Sequence, residues 1–164
     1  MSEHNEQVMR RGVDEIWNGG RIEVIDELVG PGYVRHDPAL PQPTIGPRAL
    51  EDVVRTYREA FPDLNLVIEE MHSAGDDVVV ARWRASGTHR GDLMGIAPTG
   101  KRSEVTGINL SHFGDGKMVE EWVEWDQVGM LRQLGVLPER DSAQEKALRT
   151  FSNLRTKVTG AINR

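Results

Sequence analysis

The spacing of apolar residues changes period once along the chain, dividing it into a helical first part and a stranded second part. Met9, Val13, Ile16 and Trp17 recur at helical spacing and predict a helix over roughly residues 4–17, stopped by Asn18-Gly19-Gly20. Ile22, Ile25, Leu28 and Val29 mark a short second helix ended by Gly30-Pro31-Gly32. Tyr33 to His36 reads as a short strand, followed by a loop holding Pro38, Pro41 and Pro43. Pro47 suits the first residue of a third helix. Leu50, Val53, Val54, Tyr57 and Phe61 form its apolar stripe, and Pro62-Asp63 ends it.

From Leu64 the period is two. Leu64, Leu66 and Ile68 alternate with polar neighbours and predict a strand. Gly75-Asp76-Asp77 is a turn, and Val78 to His89 a long strand. Residues 90–101 are a loop with three glycines, and Ser103 to Phe113 is the next strand. Gly114-Asp115-Gly116 is a tight hairpin turn into a strand from Lys117 to Trp125. Gln127 to Leu134 reads as helix, and a last helix covers much of 141–158. Helices followed by a four-stranded meander predict an α+β domain. Its curved antiparallel sheet wraps around the N-terminal helices as a cone-shaped α+β barrel with an internal pocket. The cone is expected over 1–138, with 139–164 as a C-terminal helical extension.

A chain of 164 residues can bury a core without covalent staples, and the absence of cysteine rules out disulfides, zinc–thiolate clusters and a thiol nucleophile. The net charge of -6 argues against nucleic acid. There is no apolar run of the roughly 20 residues that a membrane helix needs. The N-terminal MSEHNEQVMRR is polar and is not expected to be a signal peptide, so the chain is expected to be soluble and cytoplasmic. From Asp141 to Arg164 five basic residues face two acidic ones, leaving -9 for the rest. That segment is either a solvated helix or one that docks on an acidic neighbouring subunit.

Several segments recur together in a known order: Trp17-Asn18-Gly19, Tyr33-Val34-Arg35-His36-Asp37-Pro38, Ala60-Phe61-Pro62-Asp63, Gly87-Thr88-His89-Arg90-Gly91 and Gly95 to Lys101. Phe113 to Lys117, Glu121-Trp122, Asp126 and Leu131 to Gly135 complete the series. Over about residues 8–138 the chain resembles the SnoaL-like polyketide cyclase family, within the ketosteroid-isomerase-like (nuclear-transport-factor-like) cone folds. The resemblance implies a homodimer or homotetramer, a small aromatic or polyketide substrate, and no metal or organic cofactor. It also implies intramolecular aldol chemistry begun by an aspartate base on the last strand. An aspartate base does related work in ketosteroid isomerase. An ungapped placement puts that aspartate on Val123, a pocket histidine on Asn109 and a glutamine on Gly107. Valine cannot move a proton.

Other residues are therefore candidates. Glu121 lies two before Val123 on the same strand face and is the preferred replacement base; otherwise it is a rim charge. Asp126 is either a helix N-cap or a catalytic acid. His36, beside Asp37, is the second catalytic candidate. The expected substrate-binding wall is Trp17, Tyr33, Val53, Trp83, His89, Met94, Asn109, Val123 and Trp125. Large aromatics there suit a flat polycyclic ligand. No two histidines are spaced i,i+4 or i,i+2, so no metal site is expected. Three functions remain open. Hydroxylation of an aromatic polyketide is favoured, because a family subgroup lacking the cyclase aspartate is associated with it. The others are cyclisation with a relocated base and binding of a hydrophobic ligand without catalysis.

Overall fold

The computed structural model describes residues 2–150. The first helix, α1 (Ser2–Arg11), widens into a π-helical segment at Gly12–Asn18. A 3₁₀ turn (Ile22–Val24) leads into α2 (Ile25–Leu28). Then come β1 (Val29–His36), β2 (Thr44–Ile45) and α3 (Gly46–Ala60). The meander is β3 (Asn65–Ser73), β4 (Val78–Thr88), β5 (Arg102–Gly114) and β6 (Lys117–Trp125), followed by α4 (Gln127–Gln133). Residues 143–150 are helical, and the remainder of the helix expected over 141–158 lies outside the described residues. Arg132 on α4 pairs with Glu145 at 2.7 Å, which ties the start of this last helix to the body.

The expected α+β cone is present, with two corrections. The sheet has six strands in the order β2-β1-β6-β5-β4-β3, and β1 runs parallel to β6. A purely antiparallel sheet was expected because side-chain alternation reports which face a residue occupies and carries nothing about strand direction. The connection between β1 and β6 contains α3 and four strands, ample for a parallel return. Secondly, β1 begins at Val29, so Gly30-Pro31-Gly32 belongs to an irregular stretch of strand between the paired positions Val29 and Val34.

The β5–β6 turn is built as the sequence dictates. Asp115 and Gly116 have φ of 51° and 74°, the two positive values that a two-residue hairpin of this twist requires. The register slips by one between His112 and Phe113, which leaves Val119 as the extra residue of a bulge. Beyond it Glu121, Val123 and Trp125 share the concave face, while Trp122 is exposed on the convex one.

Apolar side chains from α1, α2, α3, β1, β4 and β5 form one buried cluster, among them Val8, Ile25, Tyr33, Leu50, Val79 and Phe113. Ala60, Phe61, Leu93, Met130 and Leu134 form a second. Between them the sheet and helices enclose a hollow of about 1160 Å³ including its open mouth.

Trp83 on β4 pairs with Gly107 on the adjacent β5, and its indole lies over that glycine. A Cβ at Gly107 would collide with the indole and stand 2.8 Å from the Glu124 carbonyl oxygen. Gly107→Ala is therefore expected to cost about 1–3 kcal/mol through overpacking. Urea unfolding measures it, and an unchanged midpoint would show that the indole has no fixed seat.

Candidate active site

The hollow is walled mainly by apolar residues, and its polar groups gather on one side, along β1, β5 and β6. Tyr33, Arg35 and Asp37 alternate with Val34 and His36 on β1 and the turn after it, so all three point inward and are buried. The parallel register sets Arg35 beside Glu121, and the antiparallel register sets Ser111 beside Glu121.

Arg35 lies between two carboxylates. Its Nη1 donates to Glu121 Oε2 in a short contact, and its Nη2 donates to Asp37 Oδ2 at 3.1 Å. Glu121 Oε2 also accepts from the Tyr33 hydroxyl at 2.8 Å. Glu121 Oε1 accepts from Asn109 Nδ2 at 2.5 Å and from the Ser111 hydroxyl at 3.3 Å. Asn109 is itself oriented, because the Trp83 indole donates to its Oδ1 at 2.7 Å. Asp37 Oδ1 accepts from the Ala39 amide and from Trp125 Nε1, both at 3.0 Å.

Burial alone would lower the pKa of Arg35, but Glu121, Tyr33 and Asp37 together outweigh it, so the guanidinium stays protonated. Its Nε is buried and has no hydrogen-bond partner among the described residues. The guanidinium also lies 5.4 Å from the ring centre of Trp17, within cation–π range. Tyr57 joins Trp17 and Trp125 edge-on, with centroids 6.2 and 6.3 Å away, so three aromatic rings stand around the Arg35–Asp37 pair.

Trp17 is held from outside the hollow. Asn18 donates to the Leu66 carbonyl at 2.8 Å and accepts from the Leu66 amide at 2.7 Å, as a neighbouring strand residue would. Arg58 Nη1 donates to the carbonyls of Trp17 and Asn18, both at 2.7 Å, and so caps the end of the π-helical segment.

Of the residues singled out in the sequence, Trp17, Tyr33, Trp83, Asn109, Glu121, Val123 and Trp125 line the hollow. Val53, His36, His89 and Met94 do not. Val53 is half-buried on α3, and Leu50 and Tyr57 of the same stripe face the cavity instead. His36 sits on the convex face, stacked on Trp122 at 3.7 Å, with its Nε2 2.9 Å from Glu120. Its parity on β1 is opposite to that of Arg35, so it cannot reach a substrate inside. His89 is fully buried behind Phe61. Its Nδ1 lies 3.3 Å from Thr99 and its backbone pairs with Lys101 and Gly100, so it closes the base of the 90–101 loop. Met94 is exposed in that loop at φ 51°. Asp126 is the N-cap of α4, accepting from the Gly129 amide at 2.8 Å.

Arg35, Asp37 and Tyr57 were not singled out. The parity that selected Tyr33 also selects Arg35 and Asp37, and the helical stripe already contained Tyr57. Among the described residues no group of three or more His, Asp or Glu is placed to hold a metal ion. None of their helices is long and apolar enough to cross a membrane.

A small cone with an apolar hollow and one buried polar wall is the architecture of ligand-holding domains built on this sheet. The chain belongs to the SnoaL-like polyketide cyclase family, whose model matches residues 7–134. It is 31% identical over 134 residues to the aklanonic acid methyl ester cyclase DauD of Streptomyces sp. (strain C5), covering 78% of this chain and 80% of that protein. It is 32% identical over 122 residues to the nogalonic acid methyl ester cyclase of Streptomyces nogalater, covering 73% and 89%. Among solved structures, TsrD from Streptomyces laurentii superposes with a TM-score of 0.74 at 28% identity, over 84% of this chain and 98% of that one. AclR from Streptomyces galilaeus, a candidate hydroxylase, has the same TM-score at 23% identity over 100% and 99%, a likeness of fold.

Tyr33 and Tyr57 are the only tyrosines in the chain. Burial, then the charge of Glu121, raises the pKa of Tyr33 well above its usual value. Burial, then the charge of Asp37, raises that of Tyr57. Both folded values lie above the unfolded value of about 10. Their contribution to stability is therefore whole below that pH and is lost as pH rises above it, because the unfolded chain releases its protons first. Alkaline titration of the native protein should show no phenolate absorbance near pH ~10. Both tyrosines should ionise together with alkaline unfolding. Titration of either in the folded state at its ordinary pKa would contradict the burial described.

Proposed function

We propose that this protein is a polyketide-tailoring enzyme that closes a ring in a flat aromatic ketone or ester by an intramolecular aldol reaction. The observation that carries this reading is the polar wall of the hollow. Two carboxylates bridged by a protonated arginine face an otherwise apolar hollow. Deprotonation next to a carbonyl needs a positioned carboxylate, donors for the oxygen that becomes negative, and exclusion of water. Names of relatives about 31% identical support the same class, since DauD and the nogalonic acid methyl ester cyclase act on polyketide methyl esters.

The absence of an acid at Val123 first favours hydroxylation. The hollow nonetheless holds two acids, Glu121 and Asp37, that can do a base's work. Hydroxylation is kept as the second reading because Val123 is buried in the wall, where the cyclases place their aspartate. A ligand-binding role without turnover is the third.

One experiment separates the three. The protein is incubated with a panel of anthraquinones carrying β-keto ester side chains, and products are followed by mass spectrometry and absorbance. Ring closure is expected, giving unchanged mass with a shifted spectrum. A gain of one oxygen, seen with oxygen and a reductant supplied, would replace it with hydroxylation. Tight binding without any product would reduce the protein to a carrier.

A further inference from the structure

The two buried carboxylates are not equivalent in hydrogen-bonding capacity. A carboxylate offers about four acceptor positions, two on each oxygen. Glu121 uses all of them: Tyr33 and Arg35 on Oε2, Asn109 and Ser111 on Oε1. Asp37 has Oδ1 filled by Ala39 and Trp125, but Oδ2 accepts only from Arg35 among the described residues. One acceptor position of Asp37 is therefore open, and the residue lines the hollow.

The donors show the same imbalance. Tyr57 lines the hollow edge-on to Trp125, and its hydroxyl has no hydrogen bond to another described residue. Burial, then the negative charge of Asp37, keeps that hydroxyl protonated. That hydroxyl is free to donate to an acceptor oxygen of a ligand in the hollow.

Resting on the aldol reading above, we propose that Asp37 is the general base and that the Tyr57 hydroxyl binds the substrate oxygen on which negative charge develops, with Glu121 as the residue that positions Arg35. The open Oδ2 position of Asp37 takes the proton from the carbon flanked by two carbonyls. The C–H electron pair becomes an enolate whose oxygen accepts from Tyr57. The enolate carbon then bonds to the second carbonyl carbon. That carbonyl's π electrons move to its oxygen, which takes the proton back from Asp37. The carboxylate is regenerated, and no atom or electron is gained or lost.

The test uses the full chain and an anthraquinone bearing a β-keto ester. Exchange of its acidic proton in deuterium oxide is followed by NMR. Tyr57→Phe removes a hydroxyl that holds no protein partner, so it should fold as the wild type does. It is expected to lower kcat by about 10²–10³-fold with KM little changed. Asp37→Ala should lose about 10²–10⁴-fold, and added formate should restore part of that loss in a saturable way. Glu121→Ala should be inactive and should gain nothing from formate. Thermal unfolding and tryptophan quenching by the probe check that each variant folds and binds. Wild-type kcat in Tyr57→Phe, or formate rescue of Glu121→Ala but not of Asp37→Ala, would overturn the assignment. If the wild type itself accelerates no exchange, the aldol reading falls, and the assignment falls with it.

Discussion

Arg35 is a cation placed where no cation is stable alone. Taking a guanidinium out of water costs several kcal/mol, and an adjacent carboxylate repays this only when the geometry is good and the remaining donors and acceptors are met. The surroundings of Arg35 follow from that constraint. Glu121 lies next to it because β1 runs parallel to β6 in one particular register. Asp37 lies two residues on, and the turn after β1 supplies the Ala39 amide that fixes it. Tyr33, Asn109 and Ser111 fill the rest of Glu121, and Trp83 holds Asn109. Three strands thus meet at one guanidinium. Removing Arg35 would leave two buried carboxylates without their cation, a loss of the order of 3–5 kcal/mol.

Much of the fold is legible in the chain because period and turn chemistry are local properties. The hairpin at Asp115-Gly116, the inward set Glu121, Val123 and Trp125, and the cap at Asp126 follow from residues within a few positions of one another. The parallel pairing of β1 and β6 depends on contacts across some ninety residues, which no local pattern encodes. The site was partly legible for the same reason. Parity on β1 separates Arg35 and Asp37 from His36. Reading that parity from Tyr33 rather than from the histidine's chemistry would have selected the two buried charges. On α3 the stripe held both Val53 and Tyr57. A period of 3.6 leaves such neighbours unresolved by about the angle that decides which one faces the cavity.

The rest of the hollow's wall has a physical account too. At Gly107 the space a side chain would occupy is taken by the Trp83 indole. Asn109 spends its amide between Trp83 and Glu121. Val123 is flanked along β6 by Glu121 and Trp125 on the same face. The polar groups of the hollow form one connected network centred on Arg35.

The amide of Asn18 has a mechanical consequence. By donating to and accepting from Leu66 it makes the end of the first helix an honorary rung of the β-ladder. Trp17 is thereby fixed relative to β3 by bonds of set length and not by the yielding contact of apolar surfaces. At this point the cone behaves as a rigid jaw. Spreading it means breaking a two-point amide clasp, so the width of the hollow is set here by hydrogen bonds.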